Sequence, residues 1–365
     1  MIGRQQLSLL IGVLCVGSII GQKFNQCSFQ QRCVEFNSCP EFKAYVGKPA
    51  TTWPRAVQEQ VLRRICNKQQ RTYYVCCSSP INVGFDPVPY PGTGSSGRPT
   101  GLKLLDMTSC GKHTKDRIAY GKNAKVFEFP WMALLIGFDG ELACGGTLIA
   151  ESYVLTAAHC KRRSIVKVRL GENDILKKID CNVYEDEDDD CADPPQDIAV
   201  AEFIAHSLYS PSKRKNDIAL IRLASPAKLS HSVKTVCLPI GSMVRNPEPT
   251  DMLISGWGLT ENNKVSNILQ YAKVSTVPLE QCNRQLSLLD NTIQLDGSQV
   301  CASGKNKVDN CAGDSGGPMQ YSSLQSTIVQ YGIVSFGLNS CGVTSSPGVY
   351  TKVSHYIDWI VENLK

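Results

Sequence analysis

The placement of cysteine constrains this chain more than any other feature. Seventeen cysteines occur among 365 residues, and six of them (Cys27, Cys33, Cys39, Cys66, Cys76 and Cys77) crowd near the N-terminus before a gap that ends at Cys110. An isolated, even-numbered cluster predicts a small domain closed by three bridges, and sequence alone leaves fifteen pairings open. A segment of about fifty residues buries too little core to hold itself, and cross-links worth about 2–4 kcal/mol each compensate by restricting the unfolded ensemble. Such density of bridges belongs to an oxidising compartment. The first 22 residues agree: Arg4, an apolar stretch from Leu7 to Gly21 and small residues at its end have the layout of a cleaved secretory signal. That stretch, broken by Ser8, Gly12, Gly17 and Ser18, falls short of the roughly 20 apolar residues that a membrane-spanning helix needs. Cys15 would leave with the signal, so an even set of cysteines remains for full pairing in an exported protein.

The sequence divides further. Residues 23–78 hold the cysteine cluster, and residues 79–117 form a linker and activation segment. Pro87, Pro89, Pro91, Gly92, Gly94, Ser95, Ser96 and Gly97 give the linker the composition of an extended tether with little packing. From Ile118 to Lys365 the pattern becomes short β-rich runs, among them Met132 to Phe138, Val166 to Leu170, Ala219 to Leu223, Tyr271 to Val277 and Ile328 to Phe336. Glycine, proline, asparagine and serine punctuate these runs, which predicts an all-β sandwich or barrel. Tyr356, Ile357, Trp359, Ile360 and Leu364 recur at helical spacing and predict a final helix packed on the body. The net charge of +5 is spread along the chain, so no nucleic-acid partner is expected.

Three separated segments carry the chemistry: Thr156-Ala157-Ala158-His159-Cys160, Asp217-Ile218-Ala219-Leu220, and Gly313-Asp314-Ser315-Gly316-Gly317-Pro318. Hydrolysing a peptide bond at neutral pH needs an activated nucleophile, a base to take its proton and a group to orient the base. Ser315, His159 and Asp217 supply those roles in the chain order His, Asp, Ser. With Gly256-Trp257-Gly258 and Pro347-Gly348-Val349-Tyr350-Thr351-Lys352-Val353 also present, residues 118–365 resemble a trypsin-type member of the chymotrypsin family. The resemblance implies two packed β-barrels with the triad between them, and an oxyanion hole made by the backbone amides of Gly313 and Ser315. It also puts Asp309, six residues before the nucleophile, at the floor of the specificity pocket, with Ser335, Gly337 and Gly348 lining it. A carboxylate at the bottom of a narrow slot favours a long cationic guest, so cleavage after arginine or lysine is expected. Ser335-Phe336-Gly337 departs from the family's usual Ser-Trp-Gly, and Ala312 replaces a commonly larger residue, which leaves the neighbouring subsites open.

Arg117-Ile118-Ala119-Tyr120-Gly121 occupies the place where this family is cut to become active, altered at two of the four residues of Ile-Val-Gly-Gly. The resemblance implies that the freed α-amino group of Ile118 pairs with Asp314. Pairing would raise that amine above its usual value of about 7.7–8.0, so the active conformation is supported below that range and weakens as pH rises through the raised value. Because the site ends in arginine, the upstream activator is expected to be trypsin-like, or the enzyme itself.

The cluster Cys27-x5-Cys33-x5-Cys39, Cys66 and Cys76-Cys77 resembles the clip domain of arthropod serine proteases. That resemblance implies the pairs Cys27–Cys76, Cys33–Cys66 and Cys39–Cys77. In the protease region it implies Cys144–Cys160, Cys282–Cys301 and Cys311–Cys341, with Cys110–Cys237 tying the linker to the catalytic body. Cys181–Cys191 would close an additional loop around Glu185-Asp186-Glu187-Asp188-Asp189-Asp190. That acidic run reads either as a solvated turn or docking surface, or as part of a calcium site in the loop that begins near Glu172, since hard cations favour clustered carboxylates. No other cofactor is expected. The resemblance points to a protease of defence (melanisation, Toll-type signalling) or development, with a protein substrate and a serpin-type inhibitor as partners. A catalytically dead adaptor would typically lack the serine that is present here, and a digestive trypsin would need no tethered clip.

Overall fold

The computed structural model describes residues 31–39, 42, 45–47, 52–53, 57–58, 61, 64–69, 72–78, 100–112, 122–183, 189–245, 248–258, 265–304, 315–322, 327–337 and 347–365. The chain forms two compact units, residues 1–95 and 96–365.

In the first unit β1 (Gln31–Glu35), β2 (Ile65–Gln69) and β3 (Thr72–Ser78) make an antiparallel sheet in the order β1-β3-β2. Its core is small and aromatic. Phe36 stacks on Phe42 and on Trp53, with ring centres 5.6 and 5.4 Å apart, over buried Val61 and Val75. Disulfides join Cys33 to Cys66 and Cys39 to Cys77. Cys76 is also disulfide-bonded, while Cys27 lies outside the described residues.

The second unit begins with α1 (Thr100–Leu104), and the short β4 (Lys122–Asn123) follows. A closed barrel is built from β5 (Met132–Gly137), β6 (Leu142–Ala150), β7 (Tyr153–Thr156), β8 (Ile165–Leu170), β11 (Gln196–Ala205) and β12 (Ala219–Leu223), in the order β11-β12-β7-β6-β5-β8. Between β8 and β11, the two-residue strands β9 (Cys181–Asn182) and β10 (Asp190–Cys191) form a hairpin closed by the Cys181–Cys191 disulfide. The second sheet runs β13 (Asp251–Gly256), β16 (Pro318–Ser322), β17 (Ile328–Phe336), β18 (Gly348–Lys352), β15 (Gln299–Gly304), β14 (Gln270–Val277) and β4, and the pairing of β13 with β14 closes it. Two helices complete the unit, α2 (Leu279–Ser287) and α3 (Ile357–Asn363). This is the two-barrel, all-β architecture that the sequence implies.

Local sequence explains the strands. β8 alternates, with Ile165, Val168 and Leu170 buried and Val166 turned outward; its Arg169 faces Asp197 of β11 across the ladder and pairs with it at 2.7 Å. β5 is apolar throughout and every residue is buried, as expected of a strand covered on both faces. The run predicted through Phe138 stops at Gly137, and Phe138 sits exposed in the turn.

The seam between the barrels is polar and buried. Trp131 Nε1 donates to Gln320 Oε1 at 2.8 Å, Gln320 Nε2 donates to Ser255 Oγ at 3.0 Å, and Ser255 Oγ points at Met132 Sδ. Trp131 and Gln320 are fully buried. A buried amide that keeps both of its functions bonded fixes one relative placement of its neighbours.

One expectation fails here. The second half of the predicted linker is packed, not extended. α1 lies against α3, Leu105 is buried in the main core, and a Cβ on Gly101 would collide with the Val361 carbonyl. The physical reason is that the proline- and glycine-rich composition ends at Thr100, where Leu102 and Leu105 supply an apolar face. The Gly111 carbonyl then accepts from Ile328 N at 2.9 Å while Gly111 N donates to the Thr235 carbonyl at 2.8 Å, and Cys110 is bonded to Cys237.

Candidate active site

His159 stands on a short 3-10 turn, Ala158–Arg163, directly after β7. The next residue, Cys160, is fully buried and bonded to Cys144 of β6, which pins the turn to the first barrel. Asp217 precedes β12 and is buried. Its Oδ1 accepts from the His159 backbone amide at 2.9 Å and its Oδ2 lies 2.8 Å from His159 Nδ1. A carboxylate can only accept, so Nδ1 carries the hydrogen, and in the neutral ring Nε2 is then the acceptor.

Asp217 is held from the second barrel as well. Ser335 Oγ donates to Asp217 Oδ2 at 2.6 Å and Thr351 Oγ1 donates to its carbonyl at 2.7 Å. Neither bond is visible in the sequence, where the residues lie 118 and 134 positions apart. The sequence places Ser335 on the wall of the specificity pocket; its side chain turns instead to Asp217 and is buried, so what remains for the pocket is its backbone.

Ser315 enters from the second barrel just before β16. Its carbonyl accepts from Gly145 N of β6 at 2.8 Å and lies 3.8 Å from Cys160 Sγ, which brings Ser315 to the side of His159 through the main chain. Gly316 follows with φ 80°, and a Cβ there would lie 2.6 Å from the Gly145 carbonyl and collide with Thr156 Oγ1. Only glycine fits this approach of one barrel to the other. Of the residues expected to line the pocket, Gly348 opens β18 and Gly337 directly follows β17, whose Phe336 is registered with Val349. Asp309, Gly313, Asp314, Arg117, Ile118, Cys311 and Cys341 lie outside the described residues.

Such a constellation can take a proton from a serine hydroxyl and return it to a leaving amine. Elsewhere, Cys282 is bonded to Cys301. In the loop after β8, buried Glu172 touches Arg169 at 3.3 Å, and Asp180 Oδ2 accepts from Asn173 N at 2.8 Å and Asp174 N at 3.1 Å. Burial, and then the charge of Asp180, push the Glu172 carboxyl above its usual range despite Arg169. Residues 184–188 of the acidic run lie outside the described residues, and no described helix is long and apolar enough to cross a membrane.

Comparison with known proteins agrees with this geometry. The trypsin family model matches residues 118–360. The chain is 37% identical to Melanization protease 1 of Drosophila melanogaster, over 80% of this chain and 78% of that one. It is 33% identical to CLIP domain-containing serine protease B4 of Anopheles gambiae, over 99% and 95%. Among solved structures it is similar to the Drosophila Grass clip serine protease of the Toll pathway, with a TM-score of 0.64 and 28% identity over 91% of this chain and 94% of that one.

Proposed function

Since the chain belongs to the trypsin family, in its arthropod clip-domain branch, and is a trypsin-like serine endopeptidase, we propose that it is the secreted precursor of an enzyme that cuts proteins after arginine or lysine, released by hydrolysis of the Arg117–Ile118 bond. The observation that carries this reading is the 2.8 Å contact between His159 Nδ1 and Asp217 Oδ2. In the catalytic cycle His159 Nε2 takes the Ser315 proton as Oγ attacks the scissile carbonyl, then gives it to the departing amine. Asp217 holds the tautomer and stabilises the imidazolium, and Ser335 and Thr351 hold Asp217. The amides of Gly313 and Ser315 receive the developing oxyanion, where one lost donor costs roughly 3–4 kcal/mol. Asp309 receives the cationic side chain between Gly337 and Gly348. The reaction itself needs no cofactor.

Residues 1–22 act as the signal, 23–78 as the clip domain, 79–117 as the connection and 118–365 as the protease domain. Cutting at Arg117 frees the Ile118 amine to pair with Asp314. The Cys110–Cys237 bond spans that cut, with Cys110 on the clip side and Cys237 in the protease domain, so the clip stays attached. The names of the relatives support a role in a melanisation or Toll-type cascade, or in development; the enzyme would have a trypsin-like activator upstream, a protein precursor as substrate and a serpin-type inhibitor. Glu172 and Asp180 are the residues that would hold calcium: burial and the charge of Asp180 push the Glu172 carboxyl up, and a divalent cation would offset that cost. Its role there is structural.

The test is hydrolysis of paired short chromogenic peptides ending in arginine or phenylalanine, before and after cutting at Arg117, with Ser315→Ala alongside. Turnover of the arginine peptide only after cutting and only with Ser315 is expected. A correctly cut protein inert on every peptide sinks the reading.

A further inference from the structure

Just before Asp217 the backbone twice enters the left-handed region, at Arg214 (φ 52°) and Asn216 (φ 54°). It does so at the end of a hairpin closed by reciprocal hydrogen bonds between Ser210 and Lys215. Residues with a Cβ seldom hold such φ values unless their surroundings enforce them. Here the result is that the Arg214 side chain crosses to the second barrel. Its guanidinium carbon lies 4.9 Å from the centre of the Phe336 ring, and Nη2 donates to Asp290 Oδ2 at 3.0 Å. Nη1 is buried with no acceptor among the described residues. Anchoring the hairpin does not require this side chain. Lys215 Nζ is bound to Asp296 at 2.7 Å and to Gln299 at 3.1 Å, and Gln299 Nε2 donates to the Arg214 carbonyl at 2.9 Å.

The position matters because Phe336 stands between Ser335, bonded to Asp217, and Gly337, on the pocket wall. A peptide whose arginine fills that pocket carries its preceding residue one strand repeat away, about 3.3 Å, and so over Phe336 beside Arg214. A carboxylate there meets a half-buried guanidinium, its side chain 32% exposed, that lies over an aromatic face, with Asp290 as the internal carboxylate it would displace or join. The chain contains such a sequence itself: Lys115-Asp116-Arg117-Ile118 puts an aspartate directly before the activation arginine.

We propose that Arg214 is a specificity-determining residue that selects an acidic residue immediately before the cleaved arginine, and that Asp116-Arg117 makes the precursor a substrate of its own activated form. Water adds across the Arg117–Ile118 bond, leaving a carboxylate on Arg117 and the amine on Ile118. The inference rests on the proposed arginine-directed cleavage and names its substrate class. Its test uses the full chain, activated by a trypsin-like protease that is then removed, on peptides differing only in Asp-Arg, Asn-Arg or Lys-Arg. The kcat/KM ratio of Asp-Arg to Lys-Arg is expected to be about tenfold in the wild type, close to one in Arg214→Gln and inverted in Arg214→Glu, with Arg214→Lys restoring the preference. In parallel, the Ser315→Ala precursor is expected to be cut at Arg117 by the activated enzyme faster than the same precursor carrying Asp116→Lys. A wild-type ratio near one, or a ratio that Arg214→Glu leaves unchanged, overturns this inference while arginine-directed cleavage stands. Absence of turnover on every arginine peptide overturns both.

Discussion

Ser335 Oγ bonds to Asp217 Oδ2 at 2.6 Å, the same oxygen that faces His159 Nδ1. The carboxylate is therefore gripped from the second barrel while it orients a base on the first. Ser335→Ala removes a donor from a buried anion, and hydrogen bonds to charged groups are worth about 1.5–3 kcal/mol. The expected result is a fall of about tenfold or more in kcat on an arginine peptide with KM little changed, measured by steady-state kinetics.

Gly316→Ala is expected to abolish activity and to lower stability by about 2–4 kcal/mol, since a Cβ must either push the Ser315 turn away from β6 and β7 or force a left-handed alanine. Urea unfolding and peptide hydrolysis on the same preparation would read both effects. A fully active, equally stable variant contradicts the described approach at this residue.

The Cys110–Cys237 bond gives the activated protein a covalent signature. After cutting at Arg117 it should run as one species on a non-reducing gel and as two under reduction. Cys110→Ser with Cys237→Ser should release the N-terminal piece without a reductant.

Calcium is expected to raise the thermal midpoint, and chelation to lower it, in the wild type but not in Glu172→Gln. Equal midpoints with calcium and with chelator would remove the ion from this loop.

His206 and His355 give the expected dependence on pH. His206 packs against the rings of Tyr356 and Trp359. Burial lowers its pKa, helped by the charge of His355, and burial lowers that of His355 too, although Asp296 opposes the shift. Both folded values therefore lie below the unfolded one of about 6.5. The stability they contribute is intact above about pH 6.5 and is lost as pH falls through the depressed values. Urea midpoints should drop between pH 7.5 and 5.5, and the drop should shrink in His206→Gln.

Much of this was readable from sequence because its carriers are local. Three short motifs contain His159, Asp217 and Ser315, the β-rich runs give strands such as Ala219–Leu223 and Ile328–Phe336, and the stripe from Tyr356 to Leu364 gives α3. What sequence could not supply is contact between distant positions. Serine at 335 has no local reason to face Asp217, and nothing in Ser-Lys-Arg-Lys-Asn shows that Arg214 ends on Phe336. The packing of α1 is hidden for another reason: the proline and glycine of residues 87–97 dominate the composition of the segment and mask the apolar pair Leu102 and Leu105 that follows.

The bonded chain Trp131–Gln320–Ser255 has a consequence for hybrid enzymes. It joins the barrel that carries His159 and Asp217 to the one that carries Ser315, and it does so through bonds that tolerate little change in direction. A chimera made by exchanging one barrel with that of a relative should therefore succeed or fail according to whether this indole and this amide still meet. Overall likeness of the two parents is the weaker guide, because apolar surfaces that differ in detail can still slide into contact, whereas a stranded carboxamide in a buried joint has nowhere else to turn.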